Sequence, residues 1–253
     1  MLKSICALVI TLLVLTPLAA AEGGLEAMID WTDWDRILRE HVVEGGVDYD
    51  GIAADPGFAA TVEAIATADL SGQGAQSVLA FHINAYNVLA VRGILDGSSP
   101  RTAFGKLRFF YRDKCVVAGQ RLSLHAYEHQ VILPLAEPRI HFAIVCASAS
   151  CPELRNEAYV PARLGLQLDE AARRFVNDPS KNTFDPGAGR ARVSKIFKWF
   201  EDDFEAAAGS VSSYLALFIA DEATAEALRD GQLKIRHLSY DWSLNGTFTP
   251  RRQ

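Results

Sequence analysis

Three groups of residues have the types and spacing that catalysis or ligand binding requires. The first is the segment His125-Ala126-Tyr127-Glu128-His129, in which two histidines and a glutamate are spaced to share one face of a helix. In this order the histidines can bind zinc while the glutamate polarises a water molecule. A third ligand would have to come from a later helix, as Glu170 or Glu201. The alternative is a solvated helix face with one histidine satisfied in the core.

The second group surrounds two cysteines. The apolar run at residues 140–146 predicts a strand buried on both faces, and small, hydroxyl-bearing residues lead from it to Cys151-Pro152. A proline at this place is typical of the first turn of a helix. Backbone N–H groups in the turn and the positive end of such a helix would favour a thiolate and an oxyanion. Cys146 and Cys151 are both candidate nucleophiles, and the alternative is a local disulfide between them.

The third group is a pair of amides, Asn84 and Asn87, within the apolar sequence FHINAYNVLAV. Buried amides cost free energy unless they are hydrogen-bonded. Two interpretations are open. The amides tie loops to the helix, or they orient a histidine or hold a carbonyl.

The elements that position these groups are mostly helical. The pattern predicts a helix-rich α+β single domain with a small central β-sheet, and it predicts a hairpin turn at Ala118-Gly119-Gln120. Residues 193–204 are predicted as a strand that turns into a helix. The other predicted helices cover residues 29–43, 58–69, 77–95, 122–133, 164–177, 212–220 and 223–231, and the other predicted strands cover 107–117, 140–146 and 234–242.

The first 21 residues predict a signal peptide. Lys3 supplies the positive start, an apolar stretch follows, and Ala19-Ala20-Ala21 forms the cleavage site. The apolar stretch is shorter than the roughly 20 residues that a membrane span needs, and Pro17 interrupts its end. We therefore expect residues 22–253 to form one exported domain, periplasmic or secreted. No later segment is predicted to span a membrane, so no stable membrane anchor is expected after cleavage.

Charge and cysteine content narrow the classes of function. The chain has a formal net charge of −6 and no dense basic cluster, which argues against a nucleic acid as partner. Removal of the leader leaves three cysteines, Cys115, Cys146 and Cys151. Because disulfides persist outside the cytoplasm, an odd number leaves at least one thiol unpaired. That thiol is either a buried, inert cysteine or a working nucleophile.

Separated motifs in this chain resemble the DUF547 family, a domain of unknown function. The motifs are FHINAYN at 81–87, LHAYEH at 124–129, HFAIVCASASCP at 141–152, KIFKWF at 195–200 and YDWSLN at 240–245. The resemblance runs from about residue 30 to 246 and implies one DUF547-like domain at residues 22–253. The family's function is unknown, so the resemblance serves to rank the candidate residues.

The ranking favours a thiol over zinc. The family usually lacks a histidine at the position of His125, which a zinc site would need. Some members carry serine at the position of Cys151, so the resemblance implies Cys146 as the nucleophile. It gives Cys151 a structural role or a disulfide with Cys115. The family's turn motif matches this chain at Cys146, Ser148, Ser150 and Pro152.

These observations predict a cysteine-dependent hydrolase or acyl-transferase that acts on a peptide or amide-type substrate without a metal or other cofactor. Cys146 would attack, His129 would take its proton, and Glu128, Asn84 or Asn87 would orient the imidazole. Backbone N–H groups of residues 147–151 would stabilise the oxyanion. Because neighbouring helical residues point about 100° apart, Glu128 would instead bind substrate or hold the turn. The predicted substrate-binding residues are Asn87, Ser148, Ser150 and Cys151.

Two alternatives stay open beside this mechanism. A papain-like arrangement would be compatible, with the histidine before the cysteine in the chain, the reverse of the usual order. His141 is a second candidate base, although its place at a predicted strand start favours a structural role. The alternative class of protein is an exported domain that binds a peptide or small ligand around Asn84, Glu128 and His129 without turnover.

Overall fold

The computed structural model describes residues 29–249, so the predicted signal peptide at residues 1–21 lies outside the described part. More than half of residues 29–249 are helical, and the strands among them form three small sheets of two or three strands. The predicted helix-rich α+β class is therefore confirmed. The strands are divided among three sheets and do not form one central sheet.

Most elements follow one another with short connections, whereas residues 143–160 form a long stretch without helix or strand. The α-helices are α1 (Thr32–His41), α2 (Tyr49–Ala54), α3 (Pro56–Thr67), α4 (Ala75–Leu95), α5 (Ala103–Lys106), α6 (Leu124–Tyr127), α7 (Leu164–Val176), α8 (Ile196–Trp199), α9 (Glu201–Ala208), α10 (Val211–Ala216) and α11 (Glu222–Arg229). The strands are β1 (Val42–Val43), β2 (Gly46–Asp48), β3 (Lys114–Val117), β4 (Gln120–Ser123), β5 (Thr183–Asp185), β6 (Arg190–Val193), β7 (Lys234–His237) and β8 (Gly246–Thr247). Two π-helices, Leu107–Arg112 and Glu128–Ile132, directly continue α5 and α6.

Helix α4 is the centre of the larger core cluster. It is long and apolar enough to cross a membrane by length and composition, contrary to the expectation that no later segment would be. However, 72% of the residues in its apolar window are buried inside the protein, and its buried residues lie on every side of the helix. A helix that is apolar all round is typical of a core, and α4 has that place here.

The segment at residues 138–147 runs between two clusters of buried apolar side chains. Ile140, Ala143 and Val145 belong to the cluster around α4. Phe142, from the same segment, belongs to the second cluster, which α7 and α9–α11 build. Its ring stacks on Phe204 at a centroid distance of 5.8 Å. The segment is therefore clamped by packing on both sides just before it reaches Cys146.

The predicted strand at residues 140–146 is wrong, although its predicted burial is right. A 3₁₀-helix covers Pro138–Phe142, and irregular chain follows it. No neighbouring strand supplies the backbone partners. Instead, the Asn87 side chain donates to the Ala143 carbonyl and accepts from the Val145 N–H, each at 2.9 Å. One buried amide from α4 thus does what a sheet neighbour would do.

Two hairpins form where glycine allows a tight turn. The β1–β2 turn has positive φ at Glu44 (49°) and Gly45 (77°), and the β3–β4 turn has positive φ at Ala118 (46°) and Gly119 (75°). Two successive residues with positive φ suit the right-handed twist of an antiparallel hairpin. The predicted turn at 118–120 is therefore confirmed, while the predicted strand at 107–117 is a π-helix up to residue 112.

The last part of the described chain packs against the residues that follow Cys146. β7 pairs in parallel with β6, and β8 pairs in parallel with β2. Between them, residues 240–245 lie against the turn after Cys146, which we call the cysteine turn (residues 146–151). Backbone hydrogen bonds join Ala149 to Ser243, Ser150 to Asp241 and Asn245 to Ala147. We call residues 240–247 the closing segment. The strand predicted at 234–242 therefore ends at His237.

Candidate functional site

A cavity of about 340 Å³ lies at the cysteine turn, beside the π-helices and the closing segment. Aromatic and aliphatic side chains make most of its wall. Its polar and ionisable lining comes from Tyr86, Lys106, Tyr111, His125, Glu128, His129, His141, Cys146, Cys151 and Tyr240. The cavity thus brings together three of the four predicted catalytic residues: Cys146, His129 and Glu128.

The cysteine turn holds Cys146 in a strained backbone. Ala147, the next residue, has φ of 60°, in the left-handed region that residues other than glycine rarely adopt, and its side chain is buried. Such strain persists only where surrounding structure enforces it, and it concentrates at functional sites. Here the Asn245 N–H donates to the Ala147 carbonyl at 3.2 Å. The closing segment therefore helps to fix the turn that presents the sulfur.

Polar groups surround the Cys146 sulfur. The Ser148 hydroxyl lies 3.0 Å from it and the Tyr240 hydroxyl 3.3 Å from it. Hydrogen bonds from the Cys151 thiol first, and then from Ser148 and Tyr240, lower the pKa of Cys146 to about 7, against the opposing effect of burial. The lowered pKa increases the ionised fraction of this thiol near neutral pH, and the thiolate is the nucleophilic form.

The other cysteines are thiols of a different kind. Cys115, Cys146 and Cys151 are all free, so neither alternative pairing of Cys151 is present. The Cys151 sulfur accepts the backbone N–H of Cys146 at 2.9 Å, and burial raises the pKa of Cys151. The Cys115 thiol donates to the Leu122 carbonyl at 3.3 Å, and burial raises its pKa to about 11. Cys151 supports the turn, and Cys115 lies in the β3–β4 hairpin.

Glu128 begins a π-helix and turns its carboxyl group into the cavity. Single π turns inside α-helices occur frequently at functional sites. The Tyr86 hydroxyl donates to Glu128 Oε2 at 3.2 Å. Burial raises the pKa of Glu128 to about 7, with the Tyr86 hydrogen bond opposing this and the Cys146 thiolate adding to it. The carboxyl group is thus poised between its acid and its base form at neutral pH.

His129, the predicted base, lies exposed at the rim of the cavity. Its ring packs on His125 at a centroid distance of 4.1 Å, and His125 packs on Tyr111 at 4.5 Å. The predicted histidine pair therefore does share one helix face. Among residues 29–249, however, three metal-ligand atoms come within 4.8 Å of one another only at Glu40, His41 and Asp55, so no third ligand joins the pair.

His141 is buried in the cavity wall, as expected for a structural residue. Its Nε2 lies 2.7 Å from Asp203 Oδ2, and its ring stacks on Phe200 at 3.8 Å. Burial lowers the pKa of His141 to about 4, although Asp203 acts in the opposite direction. The imidazole is therefore neutral at physiological pH, with Nε2–H donating to Asp203. A group of that pKa is a weak base for a thiol.

Both asparagines hold backbone and do not line the cavity. The Asn84 side chain donates to the Tyr159 carbonyl at 2.8 Å and accepts from the Tyr159 N–H at 2.9 Å. Asn87 makes the equivalent pair of bonds to Ala143 and Val145. The interpretation that these amides tie loops to the helix describes the structure. No hydrogen bond joins Asn84 to a histidine among the described residues, so its orienting role has no contact to support it.

Most backbone N–H groups that were predicted as oxyanion donors are already engaged. Those of Ala149 and Ser150 donate to the closing segment, and that of Cys151 donates to the Ser148 carbonyl. The Ser150 hydroxyl accepts from the Asp241 N–H at 2.8 Å. Ser150 thus fastens the closing segment, whereas Ser148 contacts the sulfur. The donors that remain beside the sulfur are the backbone N–H of Ser148 and the hydroxyl groups of Ser148 and Tyr240.

Several site residues escaped prediction. Tyr240, Trp242 and Trp199 lie in the motifs YDWSLN and KIFKWF, whose resemblance to the family was the available signal. Lys106 places its ammonium 3.8 Å from the centre of the Trp242 ring, and no motif pointed to it.

The fold and the site together define a helix-rich α+β protein with an acidic thiol and a titratable carboxyl group in one aromatic cavity. Residues 70–176 match the family model described as "Protein of unknown function, DUF547", and the chain contains a DUF547 domain. No curated protein and no solved structure matches the chain. The matched range includes Glu128, Cys146 and Cys151, while Tyr240 and the aromatic side chains near it follow later in the sequence.

Proposed function

We propose that the protein is a thiol-dependent hydrolase or acyl-transferase, exported from the cytoplasm, that acts on a peptide or other amide-type substrate. The observation that carries the proposal is the Cys146 sulfur in a cavity wall, between the hydroxyl groups of Ser148 and Tyr240. A buried, inert cysteine has a raised pKa, as Cys115 does. Cys146 has a lowered one.

In the first step the Cys146 thiolate attacks the substrate carbonyl. A C–S bond forms, and the C=O electron pair moves to the oxygen, where the Ser148 N–H and the hydroxyl groups of Ser148 and Tyr240 are the available donors. Collapse of this intermediate breaks the C–N bond. The leaving nitrogen takes the proton of the Glu128 carboxyl group, and the product is an amine and a thioester on Cys146.

In the second step the acyl group leaves the enzyme. The Glu128 carboxylate takes a proton from water or from an acceptor alcohol or amine, whose oxygen or nitrogen attacks the thioester. The C–S bond breaks, and the sulfur leaves as the thiolate. Glu128 is then protonated again, so each turnover restores the starting state. A pKa of about 7 suits a group that must act in both directions at neutral pH.

The predicted base His129 belongs to the proposal as the second candidate for these proton transfers. It lines the same cavity, so its role is tested beside that of Glu128 with 4-nitrophenyl acetate as acyl donor. We expect Glu128→Gln to lower turnover about a hundredfold and His129→Gln to lower it less than tenfold. The reverse order would assign the transfers to His129.

The thiol itself is tested by alkylation. The purified, non-reduced protein is treated with iodoacetamide across pH 5–9, and peptide mass spectrometry measures labelling at each cysteine. We expect Cys146 to label with an apparent pKa near 7 and Cys115 to label slowly at every pH. Cys146→Ser should abolish turnover of 4-nitrophenyl acetate, whereas Cys115→Ser should preserve it.

An unreactive Cys146 would overturn the proposal of a thiol-dependent enzyme. If Cys146 stays unlabelled until the protein unfolds, or is found in a disulfide, the thiol mechanism is wrong. The exported domain that binds a peptide or small ligand without turnover would then be the better description of this cavity.

A further inference from the structure

Four aromatic side chains form one continuous face of the cavity, which we call the aromatic wall (Phe110, Trp199, Tyr240 and Trp242). The Tyr240 ring lies 4.7 Å from Trp199 and 4.5 Å from Trp242, and Phe110 lies 6.2 Å from Trp242, all between centroids. Trp199 is 46% exposed. Ring faces that are open to a cavity offer a large apolar contact area to a ligand.

The cavity lining carries one fixed positive charge. Lys106 is its one lysine or arginine, and Glu128 is its one carboxyl group among the lining residues. Glu128 accepts the hydrogen bond of the Tyr86 hydroxyl and makes no ion pair with Lys106. Within residues 29–249 Lys106 makes no ion pair, and its ammonium rests on the Trp242 ring. The ammonium can therefore pair with an anionic group of a ligand.

Three consecutive contacts connect this charge to the sulfur. The Cys146 sulfur contacts the Tyr240 hydroxyl, the Tyr240 ring packs on Trp242, and Trp242 carries the Lys106 ammonium. A ligand bound along the aromatic wall would therefore extend from the thiol toward the ammonium.

We infer that the cavity binds a carboxylate next to an apolar, ring-sized side group, with the carboxylate paired to Lys106 and the side group on the aromatic wall. This chemistry occurs in N-acylated apolar amino acids and at the C-terminal end of peptides. The inference deepens the proposed function, on which it rests for the identity of the cavity as the substrate site. A cationic side chain is disfavoured there, because the Lys106 ammonium already occupies a face of Trp242.

Isothermal titration calorimetry with the Cys146→Ser protein tests the inference without turnover. The probes are N-acetyl-L-phenylalanine, which carries the carboxylate, and N-acetyl-L-phenylalaninamide, which lacks it. We expect the acid to bind about fivefold more tightly than the amide, the effect of one partly exposed ion pair. The preference should shrink as salt is added. Ala-Ala-Phe and its C-terminal amide, used in the same way, distinguish a peptide ligand from an acylated amino acid.

Variants distinguish the contribution of the Lys106 charge to binding from that of the aromatic rings. Lys106→Gln should remove the preference for the acid, Lys106→Arg should retain it, and Lys234→Gln, the matched control on β7, should leave it unchanged. Trp199→Leu should weaken acid and amide equally. The inference is overturned if acid and amide bind equally, if the preference survives Lys106→Gln, or if neither pair of probes binds at millimolar concentrations.

The result is independent of the test of the thiol. Alkylation reports on Cys146, whereas these titrations use a protein without that sulfur. An unreactive Cys146 together with a Lys106-dependent preference would overturn the proposed thiol mechanism and support the inferred class of ligand. A reactive Cys146 without the preference would overturn only the ligand class.

Discussion

The hydroxyl group of Tyr240 lies 3.3 Å from the sulfur of Cys146, although 94 residues separate them in the chain. This contact is one of the hydrogen bonds that lower the pKa of Cys146. We expect Tyr240→Phe to raise the apparent pKa of Cys146 alkylation by about one unit, the effect of losing one hydrogen bond to a charged group. Labelling at pH 6 should then slow about tenfold. Tyr111→Phe, which changes another cavity tyrosine, is the control, and equal rates in both variants would refute the role of Tyr240.

Glu128 makes stability depend on pH. Its pKa is about 7 in the folded protein against an ordinary value of 4.5, so the folded state binds more protons between these values and stability falls as pH rises from 4.5 to 7. Glu128→Gln should remove this fall. The difference in free energy of unfolding between the variant and the wild type should therefore be larger at pH 8 than at pH 4.5, by up to about 3 kcal/mol. Urea unfolding at both pH values measures it. Glu226→Gln, an exposed change on α11, should show no such gain.

His141 makes stability depend on pH in the opposite direction. Its pKa is lowered from 6.5 to about 4 on folding, so the unfolded state binds more protons in this window and stability falls as pH drops from 6.5 to 4. His141→Gln should flatten that acid limb by up to about 3 kcal/mol. Chemical unfolding at pH 7 and pH 4.5 tests this, with exposed His129→Gln as control. An unchanged acid limb in His141→Gln would mean that His141 is not neutral in the fold.

The Asn87 amide should stabilise the fold and shape the site. Asn87→Ala leaves the buried Ala143 carbonyl and Val145 N–H without their partner, at a cost of about 2–4 kcal/mol. Asn84→Ala removes an equivalent pair of bonds at Tyr159 and should cost a similar amount. Only Asn87→Ala should also change the alkylation rate of Cys146, because Val145 precedes that cysteine. Similar rates in both variants would show that Asn87 does not position the sulfur.

Local signals explain which elements the sequence could predict. The Ser123 side chain accepts the Ala126 N–H and so caps the start of α6, and the Ala118-Gly119 turn needs only its own backbone. The strand at residues 140–146 could not be distinguished in this way. A buried strand and a buried irregular segment require the same apolar side chains, and the difference is made by Asn87, which contacts the segment from more than 50 residues away.

The candidate site was predictable in its residue types and less so in its contacts. Cys146 and Glu128 could be found because each lies in a distinctive local motif. The Tyr240 hydroxyl, which lies in the closing segment and helps to lower the pKa of Cys146, could not be found, since pairing it with the sulfur requires the tertiary fold. For the same reason the sequence could not show that the closing segment takes the N–H groups of Ala149 and Ser150, two of the predicted oxyanion donors.

The closing segment also links the pKa of Cys146 to the last part of the fold. The family match ends at residue 176. The closing segment supplies the hydroxyl group of Tyr240, the Asn245 bond to the strained Ala147 and two rings of the aromatic wall. A chain that has not yet folded this far lacks the Tyr240 hydrogen bond, which is one of those that lower the pKa of Cys146. We expect its thiol to be less ionised at neutral pH, and therefore less nucleophilic, than in the complete fold.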